Sequence, residues 1–285
     1  MSVPFKIDLS GKTAVVTGGG GILCSGFSKA LAECGARVAV LDLKKDMADN
    51  IAEEINNAGG RAIGVEANVL DHESLETARE TVNKAFGPCD ILINGAGGNN
   101  PKGTTTKEYL FKEDLEKKED GVVTFFDLDP KGIEFVFNLN FLGTLMPTQV
   151  FSKDMIGRDG AVIINISSMN AFSPLTKIPA YSGAKAAISN FTQWLAVHMS
   201  KVGIRVNAIA PGFFVTNQNR ALLFNPDGTY TSRSNKILNM TPMGRFGEAE
   251  ELTGTLLWLV CEKASSFVNG VVVPIDGGFS AYSGV

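Results

Sequence analysis

Short runs of β-branched and aliphatic residues alternate with longer helical patterns, and this alternation constrains the fold of the chain more than any other feature. Strands that alternate with helices form βαβ units, in which the strands are parallel and helices cover both faces of the sheet. The predicted strands are Thr13–Thr17, Arg37–Leu41, Ala62–Val65, Ile91–Asn94, Val162–Ile166, Arg205–Ala208 and Val271–Ile275. The predicted helices lie near Ile22–Cys34, Lys45–Asn57, His72–Phe86, Ile133–Met155, Pro179–Lys201 and Ala249–Glu262. The pattern therefore predicts an α/β fold with a doubly wound, seven-stranded parallel sheet.

One domain over residues 1–285 is expected, because the sequence contains no internal repeat and no linker that would divide it. Two segments interrupt the alternation: a polar, charged insertion at about 98–132 and a polar loop at about 213–245. Both follow the carboxyl ends of predicted strands, where open α/β sheets bind ligands. We expect them to form the walls of a substrate pocket, and the charge run at 112–120 to be a solvated face.

The composition excludes several classes of protein. Apolar residues make up 44% and charged residues 20%, as in ordinary globular proteins, and a net charge of −4 disfavours a nucleic-acid or anionic membrane surface. No apolar run approaches the ~20 residues that span a bilayer, and the first residues lack the apolar core of a signal peptide. Four scattered cysteines and two histidines disfavour a metal site and indicate reduced thiols. We expect a cytoplasmic protein with a small-molecule substrate, no metal, no nucleic acid and no membrane partner.

A glycine cluster joins the first predicted strand to the first predicted helix, in Thr17-Gly-Gly-Gly-Gly-Ile-Leu-Cys24. Glycines permit a tight turn and let backbone amides approach a pyrophosphate at the positive end of a helix, as in Rossmann-type folds. A merely flexible turn is the alternative. The predicted cofactor contacts in this segment are Gly18, Gly20, Gly21, Ile22 and Leu23.

Further cofactor contacts are predicted after the next three strands. Asp42 ends the second strand, where a carboxylate can accept hydrogen bonds from ribose hydroxyls and repel a 2′-phosphate, so NAD is favoured over NADP. Lys44 and Lys45 follow at once and could meet a phosphate, which keeps NADP as the alternative. The remaining predicted contacts are Asn68 and Val69 near the adenine, and Asn94, Gly95 and Ala96, whose small side chains and turn position permit close approach.

A serine, a tyrosine and a lysine form the candidate catalytic group. Tyr181 and Lys185 lie four residues apart, on one face of a predicted helix, and Ser168 ends the fifth predicted strand. A nearby ammonium favours the phenolate, so we expect a tyrosine pKa below its usual ~10 and proton exchange with an alcohol or carbonyl. An amphipathic helix that carries Tyr and Lys by chance is the alternative.

These motifs, in this order, resemble the short-chain dehydrogenase/reductase family from Lys12 to about Gly278. The resemblance implies that Tyr181 is the general acid/base, that Lys185 assists it and holds the nicotinamide ribose, and that Ser168 binds the reacting oxygen. It implies that Asn140 anchors a water in a proton relay, with Asn138 as a competing candidate. It also implies a homotetramer and cofactor contacts from Pro211, Gly212, Phe214 and Thr216.

The glycine turn departs from the family pattern, since Ile22 and Cys24 occupy the second and third glycine positions. We expect their side chains to narrow the approach to the pyrophosphate. The altered turn, the Gly-Gly-Asn-Asn-Pro segment and the chain's final residues resemble a bacterial branch of D-mannonate oxidoreductases, equivalently D-fructuronate reductases.

The candidate pocket is polar, which suits a sugar acid better than a steroid or an acyl chain. The predicted substrate contacts are Asn99, Lys102, Ser168, Asn170, Tyr181 and Arg220, with Asn217 and Gln218 as further polar candidates. The alternative functions are a gluconate 5-dehydrogenase-like enzyme, a 3-oxoacyl reductase of the same fold and, from a different class, a non-catalytic dinucleotide sensor.

Overall fold

A computed structural model describes residues 6–116, 119–216 and 219–284. Its centre is a parallel sheet of seven strands: β1 (Thr13–Thr17), β2 (Arg37–Asp42), β3 (Arg61–Glu66), β4 (Ile91–Asn94), β5 (Val162–Ile166), β6 (Arg205–Pro211) and β7 (Val272–Ile275). The predicted seven-stranded parallel sheet is therefore confirmed. Asn217 and Gln218, which the sequence placed among the polar candidates, lie outside the described residues.

The strand order creates a crevice at the carboxyl edge of the sheet. The order is β3-β2-β1-β4-β5-β6-β7, so the chain moves outward from β1 in one direction and then returns to build the other half from β4. The carboxyl ends of β1 and β4 lie side by side, with Thr17 paired to Asn94. Loops diverge there to opposite faces of the sheet, and this is where a ligand binds in an open α/β fold.

Helices cover both faces of the sheet. They are α1 (Ile22–Glu33), α2 (Lys45–Asn57), α3 (His72–Phe86), α4 (Glu113–Glu116), α5 (Pro130–Phe137), α6 (Gly143–Met155), α7 (Pro179–His198), α8 (Arg220–Leu223), α9 (Ser232–Asn239), α10 (Thr253–Val260) and α11 (Glu262–Ser265). Across the described residues, none of the helices has both the length and the apolar character that crossing a membrane requires.

Alternate strand residues point into two separate apolar layers. Val16 and Ile164 pack on the layer that includes α1 and α10, whereas Val15 and Ile163 pack on the layer that includes α3 and α6. All four side chains are fully buried. Strands buried on both faces read as continuous apolar runs, which explains why the central strands were predictable from the sequence.

The helix predicted over Ile133–Met155 is interrupted in the structure. A π-helical turn over Asn138–Leu142 separates α5 from α6 and carries Asn140 at its centre. The Asn140 amide donates to the Val136 carbonyl at 2.7 Å and to the Gly98 carbonyl at 2.7 Å. Such turns are frequent at functional sites, and this one inserts Asn140 between its own helix and the loop after β4.

The insertion at about 98–132 is ordered by contacts with the rest of the protein. The Thr105 amide donates to the Lys177 carbonyl at 2.9 Å, and Lys236 of α9 forms an ion pair with Glu108 at 2.7 Å. The insertion is not polar throughout, because Tyr109, Phe111, Phe125 and Phe126 expose large apolar surfaces. The described residues of the charge run at 112–120 are exposed except for Asp114, which is buried and pairs with Lys107.

Candidate active site

The glycine-rich turn closes tightly against β2 and β4. Gly18 has a φ of +63°, and a Cβ there would lie 2.9 Å from the Ala96 Cα. The Gly20 amide donates to Asp42 Oδ2 at 3.1 Å, and a Cβ on Gly20 would lie 2.7 Å from the Met47 Cβ. Side chains at Gly18 or Gly20 would therefore push the turn away from the strand ends that it has to meet.

The N-terminus of α1 opens into the crevice between β1 and β4. The helix begins at Ile22, after an extended Gly21, and no side chain caps it. Uncapped amides at the positive end of a helix bind anions well. With the turn at Gly18 and Gly20 leaving no side chain in the way, this end of the molecule fits the pyrophosphate of a dinucleotide.

Cys24 does not narrow this approach, contrary to the expectation from the sequence. The residue is 5% exposed, and its thiol faces the end of β4, since a Cβ on Gly95 would lie 2.1 Å from the Cys24 Sγ. Burial raises the pKa of the thiol to about 12, so it stays protonated. The missing side chain of Gly95 provides the room for Cys24, and of the two substituted glycine positions only Ile22 is partly exposed.

This pairing of Cys24 with Gly95 predicts a coupled effect on stability. We expect Gly95→Ala to cost about 1–3 kcal/mol of unfolding free energy, as overpacking in a buried site does. In that background Cys24→Ala should recover part of the loss, because it removes the clashing sulfur, whereas alone it should destabilise the protein by deleting a buried group. A double-mutant cycle by urea denaturation measures the coupling; additive effects of the two changes would show that the contact is absent.

The Asp42 carboxylate is held in place at the end of β2. Its Oδ2 accepts from the Gly20 amide and its Oδ1 accepts from the Lys44 amide, each at 3.1 Å. Lys45, which could have met a 2′-phosphate, pairs instead with Asp49 one helical turn later. The carboxylate is thus oriented for a ribose diol and opposes a phosphate at the same position.

Asn94 lies inside the core rather than on the crevice. Its amide donates to Thr148 Oγ1 and Asn165 Oδ1, each at 2.9 Å, and Asn165 donates to Thr192 Oγ1 at 2.9 Å. These buried bonds tie β4 and β5 to α6 and α7. The Asn94 side chain therefore holds together the strands and helices beneath the site. The contact with the cofactor that was predicted for Asn94 is left to Gly95 and Ala96.

Thr17 shapes the turn after β4. Its Oγ1 accepts hydrogen bonds from the amides of Gly95 at 3.1 Å and Ala96 at 3.3 Å, and the Thr17 side chain is itself fully buried. The hydroxyl thereby joins the glycine-rich turn to the second turn at the crevice. This role was not predicted from the sequence, although the threonine directly precedes the glycine cluster.

The other predicted cofactor residues surround the same edge of the sheet. Asn68 is exposed, with its Oδ1 accepting from the Leu70 amide, and Val69 is buried beneath it. The Phe214 side chain is buried in the core, so only its backbone could face a ligand. Pro211 ends β6, and Gly212 has no room for a side chain, because a Cβ there would lie 2.6 Å from the Asp276 Cα.

The Thr216 amide donates to Asn219 Oδ1 at 2.8 Å, and the Asn219 amide donates to the Phe214 carbonyl at 2.8 Å. These two bonds fix the chain after β6. Thr216 itself is partly exposed.

Ser168, Tyr181 and Lys185 come together where β5 ends and α7 begins. The Ser168 side chain lies next to the Tyr181 hydroxyl and acts to lower its pKa. The Lys185 Nζ lies 5.6 Å from the centroid of the Tyr181 ring and donates to the Ile166 carbonyl at 2.8 Å. The structure thus brings together the three residues that the sequence selected as the candidate catalytic group.

The protonation states of this group are governed by burial. Burial raises the pKa of the half-buried Tyr181, and the neighbouring Ser168 opposes this only in part. Burial also lowers the pKa of Lys185 to about 8. The expectation that the ammonium lowers the tyrosine pKa is therefore not met in this structure, because desolvation is the largest effect on Tyr181 and the charge of Lys185 is not among the causes of the shift.

Asn140 and Lys185 converge on Gly97. A Cβ on Gly97 would lie 2.7 Å from the Asn140 Oδ1 and 3.3 Å from the Lys185 Nζ. Asn140 is fully buried, its Oδ1 accepts from the Gly98 amide at 3.3 Å, and its backbone carbonyl accepts from Thr144 Oγ1 at 2.9 Å. Asn140, rather than Asn138, is therefore next to Lys185, where it holds the loop after β4 with its side chain.

Four charged or polar residues predicted to contact the substrate differ in their distance from the candidate catalytic group. Asn170 is buried beside Ser168, where its backbone amide donates to the Ser168 Oγ at 3.3 Å. The other three are exposed and have partners within the protein: Asn99 donates to Thr104 Oγ1 at 3.2 Å, Lys102 lies 3.7 Å from an Asp129 oxygen, and the Arg220 guanidinium lies 5.0 Å from the Phe224 ring centroid. Of these four residues, Asn170 alone lies next to the candidate catalytic group.

The low pKa of Lys185 predicts a pH-dependent stability. The lysine titrates near pH 8 when folded and near 10.5 when unfolded, so between these values the unfolded chain binds more protons and stability rises with pH. Below pH 8 the full cost of burying the charge, about 3 kcal/mol, opposes folding. We therefore expect the unfolding free energy of Lys185→Met relative to wild type, measured by urea denaturation, to be higher at pH 7 than at pH 10. The exposed Lys201→Met is the matched control, and identical pH profiles for wild type and Lys185→Met would contradict the assignment.

Metal-binding residues do not gather in this region. Among residues 6–116, 119–216 and 219–284, no group of three or more His, Cys, Asp or Glu side chains is placed to hold a metal ion. All four cysteines lie in the described residues, and none of them is in a disulfide bond.

Comparison with known proteins agrees with this arrangement. Residues 12–225 match the family model for short chain dehydrogenase. An uncharacterised oxidoreductase of Haemophilus influenzae is 62% identical over 285 residues, covering 100% of this chain and 99% of the relative. The 2-dehydro-3-deoxy-D-gluconate 5-dehydrogenase of Dickeya dadantii is 30% identical over 275 residues, covering 96% of this chain and 97% of the relative.

A solved structure extends the comparison to three dimensions. A candidate D-mannonate oxidoreductase from Haemophilus influenzae, solved with bound NAD, has 62% identity and a TM-score of 0.94, covering 100% of both chains. Similarity in sequence thus extends over the whole chain. It accompanies the glycine-rich turn, the parallel sheet and the residues at the carboxyl edge of the sheet. The chain belongs to the short-chain dehydrogenase family and is an oxidoreductase that acts on CH–OH groups.

Proposed function

We propose that the protein interconverts a secondary alcohol and a ketone of a sugar acid with NAD(H), the pair being D-mannonate and D-fructuronate. The observation that carries this proposal is the position of Ser168, Tyr181 and Lys185 at the edge of the crevice that the glycine-rich turn enters. Alcohol oxidation by a nicotinamide cofactor requires a general acid/base beside a cleft that binds a dinucleotide.

Each member of the catalytic group has a separate task in this proposal. Tyr181 removes the hydroxyl proton during oxidation and returns it to the oxygen during reduction. Ser168, which lies next to the Tyr181 hydroxyl, donates to the reacting oxygen and stabilises the charge that develops there. When bound, the nicotinamide supplies or accepts the hydride. Lys185 holds the ribose and carries the proton onward, and its pKa of about 8 allows it to gain and lose a proton near neutral pH.

NAD is the proposed cofactor, with Asp42 as the residue that selects it. The Asp42 carboxylate is fixed by the amides of Gly20 and Lys44. Its charge favours a ribose diol and disfavours a 2′-phosphate. The uncapped end of α1, the backbone of Gly95 and Ala96, and the loop after β6 complete the proposed binding surface.

The sugar-acid substrate is supported by the similar proteins and by the polarity of the site. One relative acts on carbon 5 of a gluconate derivative, and the solved neighbour carries the name of a mannonate enzyme. Asn170 places a buried amide beside Ser168, which suits a hydroxylated substrate better than an acyl chain. A 3-oxoacyl reductase would be expected to have an apolar lining at this position.

A substrate panel tests the proposal against its alternatives. Wild-type enzyme with NAD⁺ is assayed on D-mannonate and D-gluconate, and with NADH on D-fructuronate, 5-keto-D-gluconate and an acetoacetyl thioester. We expect the highest kcat/KM for the mannonate pair, and preference for the gluconate pair would transfer the function to the gluconate 5-dehydrogenase class. A preference for the thioester would support a 3-oxoacyl reductase, and turnover of none of them would support a dinucleotide sensor.

We also propose that this one-domain, cytoplasmic enzyme assembles as a homotetramer through the outer faces of α6 and α7. Trp194 stacks between Phe191 and His198 on α7, and it is 56% exposed, while Val197 beside it is 76% exposed. An exposed row of large apolar side chains commonly marks an interface. Light scattering should give four times the chain mass of 30.3 kDa, and a monomer mass would contradict the assembly.

A further inference from the structure

Asn170 carries a buried amide oxygen that the protein leaves without a hydrogen-bond donor. The residue is 5% exposed and lies in the 3-10 turn Met169–Ala171, which directly follows Ser168. Six buried polar side-chain atoms lack a partner among the described residues, and the Asn170 Oδ1 is the one that lies in the turn joined to Ser168.

Folding alone does not account for this amide. A buried acceptor without a donor costs about 1–3 kcal/mol, and an apolar side chain of similar size would avoid that cost. The buried amides of Asn165 and Asn207 show the contrast: Asn165 bonds to Asn94 and Thr192, and Asn207 bonds to the backbone at Val268 and Val271. The Oδ1 of Asn94 is also unpaired, but the amide nitrogen of Asn94 joins strands and helices by two hydrogen bonds, so folding accounts for that residue. An unpaired amide beside a candidate active site is explained when the ligand supplies the hydrogen-bond donor.

The chemistry of the free atom limits what that ligand group can be. An amide oxygen accepts hydrogen bonds and cannot donate them, so its partner must be a donor. A carboxylate or a ketone oxygen is excluded at this atom, whereas a hydroxyl fits. The turn also packs against α7, which carries Tyr181 and Lys185, so the group that Asn170 meets belongs to the part of the substrate next to the reacting carbon.

We propose that Asn170 accepts a hydrogen bond from a hydroxyl on a carbon adjacent to the reacting carbon. It thereby selects α-hydroxyketones over ketones flanked by methylene groups. This inference rests on the proposed function, in which Ser168 binds the reacting oxygen. In a 5-keto aldonate both neighbouring carbons bear hydroxyls, whereas in a 3-oxoacyl thioester both are methylenes. Asn170 is then the residue that separates these two substrate classes, since a site built around a hydroxyl rejects analogues that lack it.

The test uses Asn170→Leu, which removes the acceptor and keeps the branched shape and the number of heavy atoms of the side chain. Reduction by NADH is measured for D-fructuronate and for its analogue in which both hydroxyls next to the ketone are replaced by hydrogen. Wild type should prefer D-fructuronate at least ~10-fold in kcat/KM, and Asn170→Leu should lose that preference while turnover of the deoxy analogue stays unchanged or rises. The exposed Asn50→Leu on α2 is the matched control and should keep the wild-type ratio.

A stability measurement separates selectivity from a structural role. Because Oδ1 has no partner in the protein, Asn170→Leu should leave the unfolding midpoint of the apoprotein unchanged or higher. Should the leucine variant fail to fold, Asn170→Ala removes the same oxygen with a smaller side chain and is assayed in the same way. An unchanged substrate ratio in a folded variant would overturn this inference alone. Absence of wild-type turnover of D-fructuronate would overturn the proposed function, and this inference with it.

Discussion

Replacing Tyr181 by Phe is expected to lower kcat by a factor of about 10²–10⁴, the contribution of a positioned general acid/base. The change removes only the hydroxyl next to Ser168, which in the proposed function exchanges the proton with the substrate. The ring and its neighbour Lys185 remain, so the cofactor site should stay intact. NADH binding, measured by fluorescence titration, should therefore change little while turnover is lost.

Tyr282→Phe is the matched control for this experiment, because Tyr282 is exposed near the end of the described chain. It undergoes the same loss of one oxygen, and its kcat should equal that of wild type. Near-normal turnover in Tyr181→Phe would assign the proton transfer to another group. Loss of NADH binding together with turnover would indicate that the substitution had disturbed the crevice instead.

Replacing Asp42 by Asn is expected to reverse much of the preference for NAD. In the proposed cofactor site, the change removes the charge that faces the ribose. Hydrogen bonds to a charged group contribute about 1.5–3 kcal/mol, so kcat/KM with NAD⁺ should fall about 10- to 100-fold. The same change removes the repulsion of a 2′-phosphate, so NADP⁺ should be used better than by wild type.

Both cofactors are compared in each variant by steady-state kinetics and by titration of NADH and NADPH binding. Asp46→Asn, at an exposed carboxylate in the first turn of α2, is the control and should keep the wild-type cofactor ratio. An unchanged ratio in Asp42→Asn would show that another part of the crevice selects the cofactor.

The sheet was predictable from the sequence because its strands are buried on both faces. Val15, Val16, Ile163 and Ile164 belong to apolar runs that can only be central strands of a parallel sheet. The ends of elements were less predictable: β6 continues to Pro211, three residues beyond the predicted end. The π-helical turn at Asn140 depends on contacts with Gly98 and could not be read from local sequence.

In the candidate site too, some features follow from the sequence pattern, and others depend on how the residues pack. The positions of Ser168, Tyr181 and Lys185 followed from a strand end and a four-residue helical spacing. The direction of the tyrosine pKa did not follow, because it depends on how deeply the group is buried. The location of Cys24 likewise depends on Gly95, which is distant in sequence, and the unpaired Asn170 oxygen becomes visible only when every neighbouring donor has a position.

The transfer of an isotope from the cofactor to the product tests the central claim most directly. D-Fructuronate is incubated with the enzyme and with NADH deuterated at the transferable position, and the product is identified by NMR. The proposed function predicts D-mannonate with deuterium on the new carbinol carbon. Recovery of unchanged D-fructuronate, or of a product without deuterium at that carbon, would contradict it.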